Sequence, residues 1–412
     1  MSCWHDLRAL GGWRQSLAAR IHQMGRLRQR RKCAFAGGTT AGKRVKLSDH
    51  RQWTTDDGLS SIVVQRTSMK NFDPKYNAIP KTEIHCHLEG AIRTQTIIDV
   101  ARANNISLPS YEVGELDKHV KVLDQMKDLH AVLAAFDIFQ RTITSPEVFE
   151  RISWELFEDC AKQNIKLFEV RFSPDWAFHG HNLDWDACLE GLIRAQERAE
   201  KEFDMAIGII AITSRGMGAE SCEKTVDWAI RHRQHIQAVD LADSEILYPA
   251  KDFVKPILKA KDAGLKVTIH SGEDTPASYV IDTIKSFQPD RIGHGIHAIE
   301  DMQAVEMLLE REITLEVNPW SNYLTNSVPT IEAHPLKKLF DLGVRVTINS
   351  DDPEVLETNV NEEYRIAHKV LGMSMADIHT CNRFAFESSF IDKAKTDKIW
   401  NKFFVNIAPD SN

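Results

Sequence analysis

The sequence predicts an α/β protein, a (β/α)8 TIM barrel with extra helices after its first strand. Three observations carry this. Eight short β-rich runs recur between residues 82 and 350, helical periodicity fills the intervals, and ionisable residues gather where the runs end.

The runs cover 82–87, 166–173, 206–213, 238–242, 266–270, 291–294, 314–318 and 345–350. Helical patterns occupy 145–163, 186–203, 221–235, 250–263 and 299–311. Residues 88–165 are too many for one crossover helix, so additional helices are expected there, over the mouth of the barrel. Leu133, Phe136 and Phe139 fall in this interval, either as lid or pocket residues or as the apolar face of a helix. The second use is the expected one for Phe139. A length of 412 residues is compatible with a single barrel.

A net charge of −8 argues against nucleic acid as the main partner, because phosphate binding wants a basic field. No stretch approaches the roughly 18 apolar residues of a membrane span. The seven cysteines are odd in number and widely spaced, with no Cys-x-x-Cys, which points to a reducing, cytoplasmic setting rather than a disulfide framework. Residues 1–68 differ from the rest: they are rich in arginine and lysine, with only Asp6 and Asp49 as acids before residue 55. An organelle transit peptide has this composition. So does a disordered extension upstream of a start at Met69, and that reading is preferred. The expected organisation is a basic extension, 1–68, and one barrel domain, 69–412.

In such barrels chemistry collects at the C-terminal ends of the strands. The first run ends in His85-Cys86-His87, and residues two apart on a strand face the same side, so two imidazoles can point into the mouth. His-x-His pairs also occur on ordinary surfaces. The fifth run ends at His270, a further ligand candidate. Glu273 just beyond it is either an acid/base or a loop salt bridge. His294, between Gly293 and Gly295, is an active-site group or a polar turn histidine. After the eighth run come Asp351 and Asp352, able to serve metal and substrate separately, or merely to cap a turn. Taken together, the four sites lie at the same end of strands one, five, six and eight. Three histidines and one aspartate make a zinc set with a position left for water. There is no His-Glu-x-x-His, no Pro-Cys-x-x-Cys, and no lysine after the fourth run to bridge two metals, so one ion is expected.

At this point the sequence resembles the adenosine deaminase family, from about Pro80 to Asp352 and somewhat beyond. The pieces are KTEIHCHLEG at 81–90, EVRFSP at 169–174, DLADSE at 240–245, HSGE at 270–273, RIGHG at 291–295, NPWSNYLT at 318–325 and NSDDP at 349–353. The resemblance implies one Zn2+ on His85, His87, His270 and Asp351. It implies that Glu273 protonates purine N1, that His294 orients the attacking hydroxide, and that Asp352 pairs with N7 and steers the water. Glu89 stands where the family places a carboxylate on the ribose 5′-hydroxyl, and the backbone at Asp243 where purine N3 is met. Leu133, Phe136 and Ser173 complete the substrate-facing set. Three positions depart from the pattern: Asp243 replaces the usual glycine, Glu89 replaces the aspartate of animal members, and Asn318 replaces a frequent cysteine. Trp320 and Tyr323 match adenosine deaminases, with barrel packing as the alternative for Trp320.

The expected partner is therefore a small purine, with adenosine or 2′-deoxyadenosine first, free adenine second, and a modified nucleoside such as 6-amino-6-deoxyfutalosine or an N6-methylated nucleotide third. A member of the family acting as a binding or growth-factor-like protein is the reading from a different class. It would need a lost ligand, and none of the four is lost.

Overall fold

The computed structural model describes residues 72–405 except 134. The extension expected at 1–68 lies outside them. Eight strands form one parallel sheet in consecutive order: β1 (Lys81–His87), β2 (Ile165–Phe172), β3 (Ala206–Ser214), β4 (Ala238–Ala242), β5 (Lys266–Ser271), β6 (Arg291–His294), β7 (Thr314–Val317) and β8 (Val346–Ile348). This is the (β/α)8 barrel. Helices cover its outer face, which is why the strands read as nearly unbroken apolar runs.

The seam between β8 and β1 is where the fold builds its site. The run 345–350 gives only three residues of strand, because Asp351 takes a left-handed backbone, φ 63°, and leaves the β8 direction. It then forms a parallel bridge with Cys86. His87 N–H donates to the Asp351 carbonyl at 2.8 Å, and Asp351 N–H donates to the His85 carbonyl at 3.1 Å. Deeper in the seam, the Asn349 side-chain carbonyl accepts from Ile84 N–H at 3.2 Å and that of Asn382 from Thr82 N–H at 2.8 Å. Backbone closure of the barrel and placement of Asp351 between two histidines are one event.

The helix Pro146–Lys162 starts where Ser145 caps it by accepting from Val148 N–H, with proline in the first turn. It buries Phe149, Ile152, Leu156 and Cys160, one face at helical spacing. Between β1 and this helix lie four more, Thr94–Asn104, Val113–Val120, Leu129–Leu133 and Phe136–Thr142, the additional helices the interval requires. The patterns at 221–235 and 250–263 correspond to helices Gly218–Arg231 and Val254–Asp262, the latter preceded by a 3-10 turn, Ala250–Asp252. Ile84, Leu167 and Ala206 of β1–β3 pack with Ala385, Ile391, Ile399 and Phe404 of the C-terminal segment. Among the described residues no helix is long and apolar enough to cross a membrane.

Candidate active site

His85, His87, His270, Glu273, His294, Asp351 and Asp352 come together at the C-terminal ends of β1, β5, β6 and β8, and all but His85 line a cavity of about 300 Å3. One ligand-type atom from each of His85, His270, His294 and Asp351 lies within 4.8 Å of the others, and all four residues are buried. His87 stands outside that tightest group, yet its Nε2 is 3.2 Å from Oδ1 of Asp351, the same oxygen that lies 3.1 Å from His85 Nε2. The His85 ring centroid is 4.7 Å from that of His270 and 5.3 Å from that of His87.

What turns these rings is a buried charge network. His85 Nδ1 meets Glu316 Oε2 at 2.8 Å, and His270 Nδ1 meets Asp240 Oδ1 at 3.1 Å. Arg171 joins the two carboxylates, donating to Asp240 and Glu316 at 2.7 Å each, and Arg291 ties Glu316 to Glu169. Burial opposes charge on Glu316, but Arg171 and Arg291 outweigh it and hold this carboxyl well below its usual range. With Nδ1 engaged, each of these histidines has Nε2 left for another partner, and the buried Nε2 of His85 makes no aligned hydrogen bond among the described residues. Carboxylate-anchored imidazoles with their other nitrogens converging, plus one carboxylate, are a donor set that fits a tetrahedral dication. The residues present fit a zinc-type ion.

Backbone geometry sharpens the aim. His294 and Asp243 share the left-handed conformation with Asp351, at φ 57° and 80°. Three non-glycine residues in this region at the ends of β4, β6 and β8 mark a rim where strain is held for placement. Gly293 is needed for close approach: a β-carbon there would sit 3.1 Å from His85 Cε1 and 3.2 Å from His270 Cγ.

The acids are held in different states. Glu273 is buried, and burial followed by the nearby Asp351 charge pushes its carboxyl well above the usual value. Its Oε2 is 3.5 Å from His294 Nε2. Burial, then Asp351, likewise raises Asp352, whose Oδ1 is buried without a partner among the described residues. Burial raises Glu89 to about 7. Glu89 Oε1 accepts from Ser173 N–H at 2.7 Å, while its Oε2 has no partner among the described residues. Burial lowers His87 to about 4, which keeps it neutral, as a ligand must be.

The cavity is lined by Glu89, Leu133, Phe136, Ser173 and Asp243 of the expected substrate-facing set, joined by Leu129, Val132, Trp176, Ile212 and Thr325. Phe139 does not line it and is fully buried in the helix face, and Trp320 packs away from it with its indole N–H on the Leu356 carbonyl. The Asp243 carboxylate is engaged by its own loops, accepting from Ser214 Oγ and Gly216 N–H at 2.9 Å each. Asn318 bears on His294, its side-chain nitrogen 3.3 Å from Nδ1. The network of Arg171, Asp240, Arg291 and Glu316 escaped the sequence reading. Its signal was available, because a charge inside an apolar run of a central strand must be paired.

A family model described as adenosine deaminase matches residues 80–404. The chain is 34% identical over 313 residues to adenosine deaminase of Escherichia coli strain SE11, covering 76% of this chain and 94% of that protein. Its fold matches that of adenine deaminase from Arthrobacter aurescens, with a TM-score of 0.74, 26% identity, and coverage of 79% of this chain and 98% of the other. It also matches that of an Arabidopsis N6-mAMP deaminase, with a TM-score of 0.71, 23% identity, and coverage of 80% and 99%. The chain belongs to the adenosine deaminase family, hydrolytic enzymes that act on carbon–nitrogen bonds.

Proposed function

We propose that the barrel is a single zinc-dependent domain that deaminates adenosine and 2′-deoxyadenosine to inosine and 2′-deoxyinosine. The observation that carries the proposal is the buried group of histidines and Asp351 facing, across one cavity, a carboxyl at Glu273 that burial pushes well above its usual range. His85, His87, His270 and Asp351 hold the ion. When bound, it supplies the Lewis acidity that makes water nucleophilic near neutral pH.

The protein's own groups do the rest. Protonated Glu273 donates to purine N1, which draws electrons from C6. His294 and Asp352 orient the water that adds to C6. Ammonia leaves and the 6-oxo purine remains. The apolar wall of Leu129, Val132, Phe136 and Trp176 packs against the purine and ribose and keeps bulk water out. Glu89 Oε2, buried and without a partner, suits a hydroxyl donor such as the ribose 5′-OH.

Among the described residues the lining contains neither lysine nor arginine, which favours an uncharged nucleoside over a nucleotide. A free base would leave part of the cavity unfilled. Adenine is kept as a second reading because the fold and 26% of the sequence are shared with an adenine deaminase. The test is a side-by-side comparison of kcat/KM for adenosine, 2′-deoxyadenosine, adenine, 6-amino-6-deoxyfutalosine and AMP on protein of known metal content. Adenosine should lead, with about one zinc per chain. A higher value for adenine or AMP would overturn the substrate assignment, and a metal-free protein with full activity would overturn the zinc site.

A further inference from the structure

His294 is held by a chain of hydrogen bonds that runs away from the cavity. The backbone N–H of Leu336 donates to His334 Nδ1 at 3.1 Å. His334 Nε2 is 3.1 Å from the side-chain oxygen of Asn322, and the Asn322 side-chain nitrogen is 2.9 Å from His294 Nδ1. All three side chains are buried.

Directions along the chain follow from its far end. A backbone N–H can only donate, so His334 Nδ1 must be the lone-pair nitrogen. His334 is buried and its ring is pushed down to about 3, chiefly by that burial, so it carries one proton, and this sits on Nε2. That N–H requires the oxygen of Asn322, which fixes the amide with its nitrogen toward His294. The amide of Asn318 adds to this. Its nitrogen donates to the Glu316 carbonyl at 3.3 Å, and so also presents N–H to His294 Nδ1. Two amide donors thus face Nδ1.

We infer that Asn322 and His334 are positioning residues that hold His294 as the Nε2–H tautomer. In that form His294 is a hydrogen-bond donor aimed at the attacking water, and it has no lone pair to offer a metal. This explains why His294, despite lying in the tightest group of possible ligands, is left free for catalysis while His87 completes the metal set. The inference rests on the proposed function for the identity of the water, but the tautomer itself does not depend on it.

The test is an imidazole 15N–1H correlation spectrum of full-length 15N-histidine protein, metal-free and zinc-loaded, with kinetics on the same samples. Wild type should show His294 with a lone-pair Nδ1 and a protonated Nε2 in both states. Asn322→Asp keeps the shape but turns an acceptor to Nδ1, so the proton should move to Nδ1. Bound zinc should be unchanged, KM should stay within about threefold, and kcat should fall on the order of 100-fold. His334→Leu should lower kcat roughly tenfold, and His334→Gln, whose amide can still donate, should restore most of it. A wild-type His294 protonated on Nδ1, or an Asn322→Asp enzyme that retains its kcat, overturns the inference. If Asn322→Asp does not fold, the His334 pair decides, and equal losses in Leu and Gln variants overturn it. A wild type that deaminates no aminopurine would refute the proposed function alone, since the metal-free spectrum still reads the tautomer.

Discussion

A β-carbon on Gly90 would lie 1.9 Å from Oδ1 of Asp352 and 2.5 Å from its Cβ. The loop after β1 and the loop after β8 therefore interlock, and the Gly90 carbonyl also accepts from Glu354 N–H at 2.8 Å and Val355 N–H at 3.1 Å. Gly90→Ala must displace Asp352 without replacing any of the proposed metal ligands. Misplacing a group that orients the nucleophile costs on the order of 100-fold in rate. The expected outcome is a folded protein with normal zinc content and kcat/KM reduced about 100-fold. Unaltered steady-state kinetics in this variant would show that Asp352 is not needed where it stands.

In the proposed mechanism Glu273 is the group whose proton the reaction uses. Glu273→Gln preserves shape and hydrogen bonding but cannot transfer a proton to a ring nitrogen. General acid catalysis contributes roughly 100-fold to 10,000-fold, so kcat should fall by that order. Zinc content measured by atomic emission should be unaffected. Wild-type turnover in Glu273→Gln would reassign the acid.

Glu316 links the ring of His85, a proposed metal ligand, to two buried arginines. Glu316→Gln replaces an acceptor by an N–H donor at one of its two oxygens and removes the charge that Arg171 and Arg291 face. Breaking a buried ion network of this kind costs about 3 kcal/mol or more. Loss of the His85 anchor should weaken zinc binding by roughly 10-fold to 100-fold. Urea unfolding and competition with a chelator measure the two effects. An unchanged chelator midpoint would mean that the Glu316–His85 contact does not tune the site.

His334 sets an acid limit on stability. Unfolded, it takes a proton below about pH 6.5, whereas folded it resists protonation down to about 3, because of burial first and the His297 charge second. The unfolded state then binds more protons in that window, so the contribution of His334 is fully present above about pH 6.5 and is lost as pH falls toward 3. Relative to His334→Gln, wild type should lose stability by about 1.4 kcal/mol per pH unit below roughly pH 6, with a constant difference above pH 7. Urea midpoints of the two proteins at pH 5, 6, 7 and 8 provide the comparison. Parallel curves across that range would contradict the buried, neutral ring.

Local chemistry in the chain was enough for the architecture and for placing the candidate groups at one end of the barrel. Strand–helix alternation specifies a barrel because each apolar run must be covered on its outer face. His85 and His87 face one way because a strand repeats every two residues, and the acids follow the runs because a barrel opens at its C-terminal end. The partners of those groups were not legible. Glu316 lies 231 positions from His85, and Asp240 lies 30 from His270. Such pairings exist only once the sheet closes and excludes water, which makes each buried charge seek its counterpart. The same holds for the turn at Asp351 and for the path from Leu336 to His294. Hydrogen-bond direction is a property of neighbours in space, and only the folded barrel decides which neighbours those are.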